Sequence, residues 1–283
     1  MRKGVVMPEL PEVETIKESM RKAVDGAFIE SVCVRNRHLR QVVPCDFEKV
    51  VCHTKIKRFY RIAKYAIMEL DNGYSVIWHF GMSGKVKIIK ESDFVVEKHD
   101  HIILYTSKGT IVYNDPRRFG LVSSIKTNQI STNPLFAKLG YDPFDEKLTE
   151  TYFISKLKDK RIPIKTALLD QSIIVGIGNI YASEALYEAG ISPLRECYTI
   201  TKQEARKLIE SIRFILEKAI AAGGSTLHDY RKPDGDIGYF QLQHAVYGKE
   251  GSSCPRCAKK NPCHIQRIVQ SGRSTYYCPH TQK

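Results

Sequence analysis

The sequence predicts an α+β multidomain chain: an N-terminal antiparallel β-sandwich with a flanking helix, a helical domain, and a small metal-stabilised β-hairpin at the C-terminus. Three observations predict it. Residues 28–113 hold many short segments rich in β-branched and aromatic residues, several of them separated by turn formers. The texture then changes over 127–145, where Asn, Pro, Ser and Asp accumulate before helical patterns begin. Finally, four of the eight cysteines fall in the last thirty residues.

The elements follow in order. Residues 11–24 read as a helix, with Pro11 in its first turn, Glu12 and Glu14 early, Lys and Arg late, and Gly26 as a stop. Strands are expected at 28–34, 65–70, 74–79, 85–89, 101–105 and 110–113. Asp71-Asn72-Gly73 and Ser107-Lys108-Gly109 supply hairpin turns. Gly178-Asn179-Ile180 opens a helix that Gly190 closes. Thr201-Lys202-Gln203-Glu204 is a capping box that precedes apolar residues at Leu208, Ile209, Ile212 and Ile215, before Gly223-Gly224 ends that helix. No internal repeat or low-complexity segment interrupts the plan.

Composition narrows the class of function. Hydrophobic residues make up 42% and charged residues 27%, ordinary for a globular chain and too apolar for a disordered one. No apolar run reaches the length of a membrane span, and residues 1–6 lack the apolar core of a signal peptide, so a membrane or secreted protein is not expected. Forty-four Lys and Arg against thirty-one Asp and Glu give a net charge of +13 and a pI near 9.3, which favours a polyanionic partner. Part of the excess is local: from Cys254 to Lys283 there are six Lys and Arg and no acid.

Cys33, Cys45, Cys52 and Cys197 are scattered and suggest no disulfide framework, whereas Cys254, Cys257, Cys263 and Cys278 cluster. Cys254-Pro255-Arg256-Cys257 is a knuckle whose two thiolates can reach one tetrahedral zinc. A hairpin of this size buries too little surface to fold alone, so one structural zinc would supply what the core does not. In Cys278-Pro279-His280-Thr281, Thr281 stands where a fourth cysteine is expected, and a neutral hydroxyl is a poor zinc ligand. Cys263, His264 or His280 can complete the set, and the alternative is a hairpin without metal. Cys263 is preferred, because thiolates bind best and it lies just past the first knuckle.

The run Pro8-Glu9-Leu10-Pro11-Glu12-Val13-Glu14-Thr15 reads first as a proline-rich helix start. It also resembles the N-terminus of formamidopyrimidine-DNA glycosylases, bacterial base-excision enzymes that remove 8-oxoguanine and ring-opened purines. Later motifs resemble that family in order: Ala63-Lys64-Tyr65, His79-Phe80-Gly81-Met82-Ser83-Gly84, Lys98-His99-Asp100-His101 and Asp115-Pro116-Arg117-Arg118-Phe119-Gly120. Gly176-Ile177-Gly178-Asn179 with Ile180 to Glu184, Val246-Tyr247-Gly248 and Gly272-Arg273 leading to Cys278 continue the match. Leu10 with the set Met82, Arg117 and Phe119 favours this branch over the related endonuclease VIII branch.

The resemblance implies a catalytic β-sandwich domain at 1–135, a helix–two-turn–helix DNA-binding domain at 136–245 and a zinc-ribbon-like β-hairpin at 246–283. It implies a bifunctional DNA glycosylase and AP lyase acting on duplex DNA that contains oxidised purines, as a monomer, in the bacterial cytoplasm at the nucleoid. Pro8 is then the nucleophile, Glu9 the proton donor to the sugar, Lys64 an aid to β-elimination and Arg273 a phosphate contact that assists δ-elimination. Phosphate is held by Lys64, His99, Arg117, Lys160, Lys165, Asn179 and Arg273. Phe119 wedges into the stack, Met82 fills the vacated space and Arg117 pairs with the orphaned cytosine; composition alone would make Met82 and Phe119 core residues. Residues 225–240 resemble the loop that covers the flipped base.

The chemistry supports these assignments. A terminal proline offers a secondary amine that can displace a base at C1′, form an imine with the opened sugar and acidify the C2′ hydrogen for elimination. Residues 1–6 precede Met7 and read as a non-native or unprocessed extension, since an amide at Pro8 leaves no usable lone pair. A catalytically silent zinc-ribbon lesion- or DNA-binding protein is the alternative if Pro8 is never exposed, and an endonuclease VIII-like enzyme acting on oxidised pyrimidines is the other.

Overall fold

The structure is a computed structural model that describes residues 7–90, 94–225, 243–257 and 263–283. It divides into two compact units, Met1–Ala137 with Ala222–Gln241 and Lys138–Ala221 with Leu242–Lys283.

The first unit opens with α1 (Leu10–Val24), one residue earlier than the proline suggests. Leu10, Val13, Ile16, Met20 and Val24 recur every three to four residues and are buried, while Arg21 and Lys22 lie in the last turn. Two four-stranded antiparallel sheets follow. One runs in the order β1 (Ile29–Val34), β6 (Asp100–Thr106), β7 (Gly109–Asn114), β5 (Lys85–Ile89). The other runs β2 (Ile56–Ile62), β3 (Tyr65–Leu70), β4 (Tyr74–His79), β8 (Leu121–Lys126). Between β1 and β2 lies α2 (Phe47–Val51).

Ile29, Ile102, Leu104 and Tyr113 from one sheet and Phe59, Met68, Trp78 and Val122 from the other form a single core with α1. The rings of Trp78 and Tyr113 lie 5.9 Å apart within it. This is the expected sandwich. Strands β3, β4 and β5 have the bounds read from the sequence, whereas β2 and β8 were not foreseen. Both are edges of their sheet, where one side of the ladder is open and cations or serines are tolerated. Lys57 and Arg58 interrupt the apolar pattern of β2, and Ser123 and Ser124 that of β8.

The second unit holds α3 (Glu150–Leu157), α4 (Ile164–Leu168), α5 (Asn179–Ala189), α6 (Lys202–Ala221), and the hairpin β9 (Gln266–Gln270) and β10 (Arg273–Tyr277). The capping box forms as expected. Thr201 N–H donates to Glu204 Oε2 at 2.9 Å, and Glu204 N–H donates to Thr201 Oγ1 at 3.2 Å. Gly190 closes α5 at φ +73°, a left-handed position that favours glycine. Among the described residues no helix is long and apolar enough to cross a membrane.

Candidate active site and nucleic-acid interface

At the start of α1, Pro8 is buried and Glu9 is 2% exposed. Glu9 is the N-cap, and Glu12, three residues on, turns its carboxylate back: Oε2 accepts the Glu9 N–H at 3.0 Å. Its other oxygen, Oε1, accepts the Ser225 N–H at 2.8 Å. One buried carboxylate therefore fixes both the backbone beside Pro8 and the chain just after Gly224. Glu12 was noticed in the sequence only as an early acid of a helix and a member of the run at 8–15.

Lys64 occupies the two-residue turn between β2 and β3, where Ile62 pairs with Tyr65 and Ala63 adopts φ +52°. Arg61 ties this turn to α1, donating from Nε to Glu14 at 3.0 Å and from a terminal nitrogen to the Ala63 carbonyl at 3.0 Å. Lys64 is itself buried, at 8% exposure. Burial, then the charges of Arg40 and Lys64, pull His79 down to about 4, so its imidazole is neutral at pH 7. Its Nδ1 accepts the Gly81 N–H at 3.1 Å and so shapes the turn that carries Met82.

Met82 lies between β4 and β5, and Phe119 between β7 and β8, in this same unit. Phe119 is 46% exposed, and the Arg117 guanidinium stacks on its ring at 4.6 Å. With Met7, Arg40, His79 and Gly81, Met82 and Phe119 line a cavity of about 320 Å³. An exposed phenylalanine under an arginine is not core packing, which composition alone would have favoured for it. His99 is half-buried nearby in sequence, its ring 6.2 Å from that of His101.

In the second unit, Lys165 is 1% exposed. Its ammonium donates to Asn179 Oδ1 at 2.5 Å, Thr275 Oγ1 at 2.7 Å and the Ser274 carbonyl at 3.2 Å. The Asn179 amide in turn donates to the Ser274 carbonyl at 2.8 Å. The structure thus brings Lys165, Asn179 and the first residues of β10 together, next in sequence to Arg273. Arg273 is exposed, just after the tight tip formed by Ser271 and Gly272 at φ +48° and +73°. Lys160 is half-buried where helix α3 gives way to the loop before α4. Glu184, which sequence reading noted only as part of a motif, accepts the N–H groups of Ala245, Val246 and Tyr247 at 2.8 to 3.0 Å. Burial raises its carboxyl while those amides oppose the shift.

The four clustered cysteines also converge. The sulfurs of Cys254, Cys257 and Cys278 lie within 4.8 Å of one another. Cys278 Sγ is 3.6 Å from Cys257 Sγ and 3.5 Å from Cys263 Sγ. Thiolates around a tetrahedral zinc, with Zn–S near 2.3 Å, stand roughly 3.8 Å apart, so this set fits a metal. The chain returns Cys263 to the knuckle by pairing: Cys254 N–H donates to the Cys263 carbonyl at 2.8 Å, and Ser253 bridges His264. His280 lies within 4.8 Å of Cys257 and Cys263, but it is exposed. Tyr187 hydroxyl contacts Cys254 Sγ at 3.3 Å, the kind of outer contact that orients a ligand.

Comparison with known proteins agrees with this geometry. The model of the formamidopyrimidine-DNA glycosylase N-terminal domain matches residues 7–122, and that of the H2TH domain of the same enzymes matches 139–231. The formamidopyrimidine-DNA glycosylase of Gluconobacter oxydans is 43% identical over 279 residues, covering 98% of this chain and 100% of its own. That of Rickettsia africae is 43% identical over 273 residues, covering 96% and 98%. Among solved structures, Lactococcus lactis FPG bound to DNA containing Fapy-dG superposes with a TM-score of 0.88 at 35% identity over 98% of this chain and 100% of that one. The MutM (FPG) protein of Thermus thermophilus gives 0.84 at 36% identity over 97% and 98%. A β-sandwich flanked by its opening helix, followed by the helix–two-turn–helix element, defines a class of DNA glycosylases. The chain belongs to the formamidopyrimidine-DNA glycosylase family.

Proposed function

We propose that this protein excises oxidised purines, 8-oxoguanine and formamidopyrimidines, from duplex DNA and then nicks the strand by β,δ-elimination, with Pro8 as nucleophile. The observation that carries this reading is the arrangement at the head of α1. Pro8 and Glu9 are held by a helix whose first turn is fixed through Glu12, and Lys64 sits in a turn tied to that helix by Arg61 and Glu14. The Pro8 nitrogen attacks C1′ as the base departs, and Glu9 gives a proton to the ring oxygen as the sugar opens. The resulting imine acidifies the C2′ hydrogen. Lys64 assists its loss and the 3′ phosphate leaves; Arg273 binds phosphate for the second elimination.

Met82, Arg117 and Phe119 fill the space of the extruded nucleotide and read the cytosine left behind. His99, Lys160 and Asn179 contact phosphate. Lys165 supports the same contact by holding Asn179 against Ser274, since its own donors are already engaged. The loop expected at 225–240 lies outside the described residues beyond Ser225, as does the extension at 1–6. Cys254, Cys257, Cys278 and Cys263 hold one zinc, which contributes folding energy to the hairpin that presents Arg273 and takes no part in the chemistry.

The test is borohydride trapping on a duplex with 8-oxoguanine opposite cytosine, comparing protein that begins at Pro8 with protein that retains residues 1–7. A covalent adduct with the Pro8 form alone is expected. Tight binding with no adduct from either form leaves a silent lesion-binding protein and overturns the enzymatic reading.

A further inference from the structure

Met82 and Phe119 stand on two separate loops, outside the ladders of both sheets. A wedge driven into stacked bases works only if its mount does not yield. Beneath both loops lies Asp115, with no exposed surface. Its Oδ1 accepts the Ser83 hydroxyl at 2.5 Å, and Ser83 directly follows Met82. Its Oδ2 accepts the Gly120 N–H at 2.8 Å, and Gly120 directly follows Phe119. The Ser83 oxygen also accepts the Arg117 N–H at 3.2 Å. One carboxylate and one hydroxyl therefore bind the backbone or neighbour of all three residues proposed to enter the duplex.

The two loops also meet backbone to backbone. A Cβ added to Gly81 would fall 2.4 Å from the Phe119 carbonyl carbon, and one added to Gly120 would fall 1.7 Å from the Tyr113 hydroxyl. Tyr113, whose phenol is pushed well up by burial and then by Asp115, donates to Asp115 Oδ2 at 3.3 Å and so stays a donor. The backbone of Asp115 is anchored too, its N–H donating to the His99 carbonyl at 3.1 Å. Buried polar groups in a fully satisfied network rigidify what they join.

We propose that Asp115, acting through Ser83, is a positioning residue that locks the Met82 loop to the Arg117–Phe119 loop, so that filling the gap and reading the opposite base occur as one rigid event. This rests on the glycosylase reading above. Neither residue touches the reacting atoms, so the chemistry of an already abasic, unpaired sugar needs neither.

The experiment uses the full chain begun at Pro8, with Asp115→Asn and Ser83→Ala, on two substrates. The first is an 8-oxoguanine duplex with cytosine or adenine opposite, under single turnover. The second is a single-stranded oligonucleotide with a preformed abasic site. Both variants are expected to slow duplex excision about 10- to 100-fold, the range that small misplacement costs, and to narrow the preference for cytosine. Nicking of the single strand stays within about twofold. Unchanged opposite-base preference in both variants overturns the proposal, as does an equal loss on the two substrates, which would mark Asp115 as general support for the fold. If the wild-type chain excises nothing from the duplex yet binds it, the glycosylase reading itself has failed.

Discussion

The head of α1 and the C-terminal hairpin are both short segments assigned to the chemistry, yet they are held by different means. Pro8 and Glu9 rest on a core of two sheets and a helix, large enough that the buried carboxylates of Glu12 and Asp115 can accept backbone N–H groups. The hairpin has two strands of five residues, and among the described residues its buried cluster holds six: Tyr187, Val246, Ile265 and three cysteines. Where apolar area is plentiful, hydrogen bonds to buried carboxylates set the geometry. Where it is scarce, sulfur ligands around a metal would do the same work. The comparison makes unequal predictions for the two regions.

The largest effect belongs to the hairpin, because structural zinc carries on the order of 10–16 kcal/mol in small metal-folded peptides. Purified protein should contain one zinc per chain. Stripping it with a strong chelator should abolish tight duplex binding while leaving the β-sandwich folded by circular dichroism. Cys263→Ser should lower the zinc content towards zero after dialysis, and adding Thr281→Cys to that variant should restore it. Full zinc in Cys263→Ser would move the fourth ligand elsewhere, with His280 the nearest alternative.

Next comes the other region. Glu9→Gln keeps the backbone amide that Glu12 holds, so duplex binding should survive within about twofold, while excision falls by ~10²–10⁴, the usual worth of a positioned acid. Excision at the wild-type rate would remove Glu9 from its role. A loss of binding equal to the loss of rate would mean that the carboxyl serves the fold, as the hairpin's cysteines do.

What the sequence revealed follows the same division. The helix start near Pro11, one residue early at Leu10, the capping box at Thr201 and the αL glycine at 190 are local signals, and local chemistry puts each in place. The roles proposed for Pro8, Met82 and Phe119 come only from an ordered series of motifs that resembles a known family; composition would have buried Phe119, which is 46% exposed. The hydrogen bonds of Glu12, Asp115 and Lys165 were not foreseen, for one physical reason. Each acts across long sequence separation, Glu12 on Ser225, Asp115 on Ser83 and Lys165 on Thr275. A charged residue that spends its bonds on groups distant in sequence carries no periodic mark. Edge strands β2 and β8 were hidden differently, by polar residues that an open edge permits.

Acid should act on both units alike. Burial holds His79 of the first unit and His244 of the second at about 4, against 6.5 for a free imidazole. The unfolded chain then binds more protons than the native one between these values. Stability contributed by the neutral rings is therefore full above pH 6.5 and is lost as pH falls towards 4, by on the order of 3 kcal/mol per ring at most. Urea unfolding at pH 7, 5.5 and 4 measures the slope. His79→Asn, which retains an acceptor for the Gly81 N–H, should flatten it for the first unit only; an unchanged slope would place the acid sensitivity elsewhere.

The smallest effect separates strain from positioning within the first unit. Gly224 and Gly73 both adopt φ +80°, where a Cβ costs about 1–2 kcal/mol. At Gly73, in the turn between β3 and β4, nothing lies within 4 Å of the added carbon. At Gly224 it would stand 3.0 Å from Glu12 Oε1, the oxygen that accepts the Ser225 amide. Gly73→Ala and Gly224→Ala should therefore lower the melting temperature by similar amounts, but only Gly224→Ala should slow excision, because displacing the Glu12 carboxylate also loosens its bond to the Glu9 amide. Equal excision rates in the two variants would show that the carboxylate yields without moving Glu9, and that the head of α1 is held by the core alone.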